Sequence, residues 1–155
     1  MKLFAIAALI VLFTTQAGAV EIGVTNNGAH LKGYNSPVFL SLNVNTWDEG
    51  EWDSQLISIR FGGSYAVDRM RFEAFLGGYD DKQLRGPGGV RVHKELNTSG
   101  KGMYGVGFGY AATPQVTVIA EYASYAGYSF IGTNSHLYTI GDRDVFSVGV
   151  SIKLD

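Results

Sequence analysis

The stretch Tyr104–Tyr125, YGVGFGYAATPQVTVIAEYASY, decides the fold. Tyr104, Val106, Phe108 and Tyr110 alternate with Gly105, Gly107 and Gly109. After Ala111-Ala112-Thr113-Pro114 the alternation resumes, with Val116, Val118, Ala120 and Tyr122 on one face. Thr117, Ile119, Glu121, Ala123 and Tyr125 occupy the other. Period-two alternation on both sides of a short Pro-containing break predicts a β-hairpin. Each arm runs about nine or ten residues, the length a tilted strand needs to cross a bilayer's hydrocarbon. Glycine weakens a solvated strand, whereas a row of inward glycines suits the crowded interior of a narrow barrel. Tyrosines at the ends of the arms match the aromatic girdles of a membrane barrel.

The same alternation recurs along the chain. Val38–Thr46 sets Leu40, Leu42 and Val44 against Ser41, Asn43 and Asn45. Leu56–Tyr65, Met70–Tyr79 and Val145–Leu154 repeat it, which makes six strands with the hairpin. An eighth-strand closure needs Val20–Tyr34 to fold as a short extra hairpin about the tight-turn signal Asn26-Asn27-Gly28. The fold expected is therefore all-β, a small up-and-down antiparallel transmembrane β-barrel of eight strands. Ala66–Arg69 and Ala111–Pro114 read as short periplasmic turns. Asp80–Lys101 and Gly127–Asp144 read as long external loops, the second with extended structure around His136–Ile140.

The N-terminus supplies the route to a membrane. Lys2, the eleven apolar residues Leu3–Phe13 and the small-residue site Ala17-Gly18-Ala19 form a secretory signal, too short for a spanning helix. Residues 1–19 are the expected signal peptide and residues 20–155 the barrel, exported to a bacterial outer membrane. With no cysteine there is no lipid anchor or disulfide framework. A formal charge of −2 gives no basic excess for nucleic acid. A chain without a second apolar helix enters lipid only as a closed barrel, because lipid cannot satisfy an open sheet edge.

Charges sit on one face only. Arg60, Arg71, Glu73, Glu121 and Lys153 fall on the polar faces of the strands, where a small barrel would pair them across its lumen. Such a network fills the interior rather than leaving a pore. A secreted soluble β-sandwich binding protein, with these charges solvated, is the alternative that alternation alone leaves open.

The two strand–turn–strand units, the Tyr-rich strand ends and the final FSVGVSIKL resemble the small outer-membrane β-barrel superfamily. That group includes the membrane domain of outer membrane protein A and related adhesion and resistance barrels. The resemblance covers about Leu56–Leu154 as a pattern. It implies outer-membrane lipid, lipopolysaccharide and the barrel-insertion machinery as partners, and a structural or adhesive role through external loops facing a surface ligand.

Some barrels of this kind are lipid-modifying enzymes that use His, Ser and an acid near the outer rim. Ser135, His136, Asp142 and Asp144 are the local residues of those types, although no enzyme motif is matched. Asp48, Glu49, Glu51 and Asp53 offer carboxylates suited to a hard cation, without the spacing of a known calcium loop. The other reading of that run is an exposed acidic rim, with Trp47 and Trp52 as interface anchors. No cofactor is expected.

Overall fold

The computed structural model describes residues 18–96 and 101–154. Most of the signal segment, residues 1–17, lies outside the described residues. Among the described residues, eleven strands form two sheets. The wall strands are β1 (Ala19–Thr25), β2 (Gly28–Asn35), β3 (Val38–Glu49), β4 (Trp52–Val67) and β5 (Met70–Arg85), followed by β7 (Gly102–Ala111), β8 (Val116–Tyr125) and β11 (Arg143–Leu154). Each pairs antiparallel with its neighbour, and β11 closes on β1 from Val20↔Leu154 to Thr25↔Gly149. The barrel is thus closed with eight up-and-down strands. Closure removes the two open edges that a sandwich would keep, so the sandwich alternative falls.

The hairpin at Val20–Tyr34 forms through Asn26-Asn27 and supplies the two missing strands. The central hairpin forms as its alternation requires, with Tyr104 opposite Ser124 and Ala111 opposite Thr117. Its inward glycines make room. A Cβ on Gly105 would lie 2.5 Å from the Phe75 ring and 2.2 Å from the Tyr122 carbonyl oxygen. In the same way Gly23 faces His30 across β1 and β2, and the imidazole fills the space a Cβ would take.

The outer wall is apolar. Val24, Phe61, Phe72, Leu76, Val106, Phe108, Phe146 and Ile152 are among its exposed large side chains. Water does not reward so continuous an apolar surface, while lipid does.

The loops depart from the reading of Asp80–Lys101 as irregular throughout. β5 runs on to Arg85, with Gln83 at φ 58, and a single 3-10 turn follows at Pro87–Gly89. β6 (Val92–Glu95) then pairs with β9 (Tyr128–Gly132), and β9 pairs with β10 (Leu137–Ile140). The two loops are therefore joined in one three-stranded sheet over the loop end of the barrel. β10 falls within the extended structure expected around His136–Ile140, whereas β6 and β9 are additions to the expected fold.

The wall has one low side. β1 stops at Thr25 and β2 starts at Gly28, whereas β3 continues to Glu49 and β11 begins at Arg143. Above Asn26-Asn27 the edges of β3 and β11 face each other across a notch. The asparagines cap its base: Asn26 Oδ1 accepts from Val148 N at 2.8 Å, and Asn27 Nδ2 donates to the Phe146 carbonyl at 2.5 Å. On the other flank Thr46 N donates to the Asn27 carbonyl at 2.7 Å.

Candidate functional site: the lumen and its cap

Inward side chains meet across the lumen in three groups. Nearest the turn end, Arg71 on β5 donates from both Nη atoms to Glu21 on β1, at 2.7 and 2.8 Å. Its Nε lies 2.9 Å from Glu73 Oε1, outside hydrogen-bond geometry. Lys32 Nζ reaches Glu73 Oε2 at 2.6 Å, Tyr34 OH donates to the same carboxylate, and Ser151 Oγ donates to Glu21 at 3.2 Å. Mid-barrel, Arg60 pairs with Glu121, donates to Tyr125 OH at 2.9 Å and to Ser58 Oγ at 3.2 Å, and lies 4.7 Å from the Phe75 ring.

Glu21, Glu73 and Glu121 thus balance Lys32, Arg60 and Arg71. Buried charges persist only when paired and hydrogen-bonded, and every member of this set meets an opposite charge.

The third group closes the loop end. Arg143 Nη1 lies 2.5 Å from Asp81 Oδ2, with side-chain exposures of 1% and 0%. Arg143 Nη2 donates to Tyr79 OH at 2.9 Å, and Tyr128 OH from the cap donates to Asp81 Oδ2 at 3.1 Å. The guanidinium carbon is 5.2 Å from the Trp47 ring and 5.3 Å from the Tyr79 ring, within cation–π range.

Above this group the cap packs its lower face. Leu84, Tyr128, Phe130 and Ile140 form one cluster against Trp47, Trp52, Val92 and Tyr138. Phe130 and Tyr138 stack with centroids 5.5 Å apart, and Trp52 meets each of them edge-on. Trp47 and Trp52 are therefore packed beneath the cap, not set as interface anchors. Lys101 Nζ ties the cap down, 2.6 Å from Glu95 Oε1 and 4.6 Å from the Tyr128 ring.

The structure brings Arg60, Arg71, Glu73 and Glu121 into these networks. Lys153 is exposed near the end of β11 and takes no part; its register partner Glu21 is turned to Arg71 and Ser151. Glu21, Lys32, Asp81 and Arg143 are the partners sequence reasoning missed, and continued strand parity was the signal that could have found them.

Ser135, His136 and Asp142 are not brought together. Ser135 turns the β9–β10 hairpin at φ 65, and His136 Nδ1 lies 3.1 Å from the Asn134 carbonyl. Asp142, beyond the far end of β10, accepts from Gly127 N at 2.8 Å. Asp144 lies on β11 and is exposed. Asp48, Glu49, Glu51 and Asp53 spread about the β3–β4 tip, where Asp48 opposes Asp53. Among the described residues no group of three or more His, Cys, Asp or Glu could hold a metal ion.

An apolar wall around paired charges, closed by eight strands, defines a β-barrel of the outer-membrane type. Among solved structures, the fold is similar to that of the Yersinia pestis outer membrane protein Ail in a phospholipid bilayer nanodisc. The TM-score is 0.53 at 14% identity, over 88% of this chain and 98% of that one. No protein-family model matches the sequence, and no curated protein matches it.

Proposed function

We propose that this chain is a small plugged barrel of the bacterial outer membrane, whose capped loop end serves a structural or adhesive role outside the cell. Met1–Ala19 directs export, and the mature chain begins at Val20. The barrel then meets outer-membrane lipid, lipopolysaccharide and the insertion machinery as a member of the small outer-membrane barrel superfamily. The observation that carries the reading is a packed, hydrogen-bonded cap, built from both long loops, above a lumen crossed by paired charges. A plug of ion pairs suits a scaffold better than a channel, and a fixed surface loses less entropy on binding than free loops do.

The loop end is bipolar. Lys82 and Arg85 at the end of β5, with Arg91, Lys94 and Lys101 beyond it, outnumber Asp80, Asp81 and Glu95 of the same segment, whereas Asp48, Glu49, Glu51 and Asp53 at the β3–β4 tip meet no base within that tip. The basic side suits phosphate-bearing lipopolysaccharide or an anionic surface ligand. No contact among Ser135, His136 and Asp142 favours the lipid-modifying reading.

Fractionation of expressing cells, with heated and unheated gel lanes, tests this directly. The expected result is an outer-membrane protein that changes mobility on heating and binds an anionic surface in a salt-sensitive manner. Recovery in the soluble periplasm would overturn the reading.

A further inference from the structure

The notch above Asn26-Asn27 opens toward a recess of about 330 Å³ between the cap and the flanking strands β3 and β11. Trp47, Glu49, Trp52, Thr139, Asp142 and Arg143 line it. Its chemistry is mixed in a particular way. Trp47 and Trp52 offer partly buried indole surface. Glu49 and Asp142 are exposed acceptors, and Thr139 adds a hydroxyl. Arg143 is almost wholly buried, and its Nε–H has no acceptor among the described residues.

These features select a ligand class. The Arg143 charge is matched by Asp81, so Glu49 and Asp142 leave the recess with acidic character that disfavours anions. A neutral polyol suits the exposed groups: its hydroxyls donate to the Glu49 and Asp142 carboxylates and to the Thr139 hydroxyl, and its C–H faces lie on indole. The volume is at the small end of ligand pockets, which fits a short saccharide.

The notch also fixes the direction of entry. Tyr104 and Tyr122 are outward tyrosines at the loop end, and the outward residues beyond them, Asp80, Lys82 and Asp144, are charged and exposed. The β1–β2 turn reaches β11 at Phe146–Val148, beside Tyr122 in register. Its tip is therefore near the girdle level, and the recess opens just above the membrane surface.

We infer that this recess binds a neutral saccharide, entering sideways over Asn26-Asn27. The inference deepens the surface role and rests on the barrel standing in a membrane. The sugar is either free or carried on a lipid of the same leaflet.

The chain's two tryptophans both line the recess, so their fluorescence reads it without a label. The full barrel, refolded in phosphatidylcholine nanodiscs, is titrated with lactose, maltose and cellobiose. In a second arm the nanodiscs carry digalactosyldiacylglycerol. The expected result is a saturable emission change in at least one arm, weakened at least tenfold in Glu49→Gln/Asp142→Asn. A response to free disaccharide identifies a soluble source, and one to the glycolipid alone a membrane source. The carboxamide introduced by Asp142→Asn keeps an acceptor for Gly127 N, and the double variant should retain heat-modifiable mobility. Silence in both arms from a folded barrel overturns this inference alone, as does a response equal in the double variant. A chain that never inserts removes both this inference and the proposed function.

Discussion

Arg143 on β11 and Asp81 on β5 form a buried ion pair across the mouth of the barrel, although two wall strands, β8 and β7, separate theirs. Removing one partner from such a pair leaves an uncompensated buried charge, which costs about 3–5 kcal/mol. Asp81→Asn should lower stability by that order in urea titrations of the bilayer-embedded barrel. The double change Asp81→Leu/Arg143→Met should recover most of the loss. Additive losses would show that the pair is not coupled.

An inward and an outward glycine of β7 give a matched pair of tests. A methyl at Gly105 would press on the Phe75 ring and the Tyr122 carbonyl, whereas nothing among the described residues lies within 4 Å of one at Gly102. Overpacking of this kind costs about 1–3 kcal/mol. Gly105→Ala should destabilise by that order, and Gly102→Ala should stay within about 0.5 kcal/mol of the parent. Equal effects at both positions would contradict a crowded lumen.

The cap should be separable from the wall. Closing a shorter loop changes chain entropy only slightly, so the barrel should tolerate a Gly-Ser link in place of Gly86–Gly100. A Cβ on Gly86 would lie 2.4 Å from the Trp52 ring, and Val92 packs in the same cluster. Their removal should shift tryptophan emission to the red while heat-modifiable mobility persists. Loss of folding would mean that the cap is part of the wall.

Strand parity makes most of the wall legible, and it reaches beyond the ends of the expected strands. Trp47 shares its face with Asn43 and Asn45, and Trp52 is in phase with Leu56, Ser58 and Arg60. Parity alone therefore marks both tryptophans as inward. Extending the parity of Arg71 and Glu73 past Tyr79 reaches Asp81, and extending Ser147 back past Val145 reaches Arg143. What parity does not carry is height along the barrel, which is why Lys153 shares a face with Glu121 but not its network. The cap is least legible. β6 and β10 have four residues each, too short for alternation to separate strand from loop, and the cap's pairing joins segments distant in sequence.

Outside the membrane span, Asp80 gives a small pH effect of known sign. Partial burial disfavours its carboxylate, but the hydrogen bond and charge of Lys82, with the charge of Lys101, outweigh that and hold its pKa down. A depressed folded pKa adds stability above the unfolded value of about 3.9, lost as pH falls through the folded value. Exposed pairs contribute about 0–1 kcal/mol. Asp80→Asn should therefore reduce stability by less than about 1 kcal/mol at pH 7. The difference should vanish once pH falls below the folded value. A difference that persists there would assign the effect to packing.

Val106 provides the most direct test of the barrel's setting in lipid. It lies between the outward tyrosines Tyr104 and Tyr110 on β7, two residues from the first and four from the second, faces outward and is 57% exposed. At an exposed position in water, a change to arginine moves stability by no more than about 0.5 kcal/mol. At the midplane of a bilayer the same change costs about 2–4 kcal/mol. Urea titration of Val106→Arg, refolded into phospholipid vesicles, should show the larger loss, with Val106→Leu close to the parent. A Val106→Arg barrel as stable as the parent would contradict a lipid-facing wall.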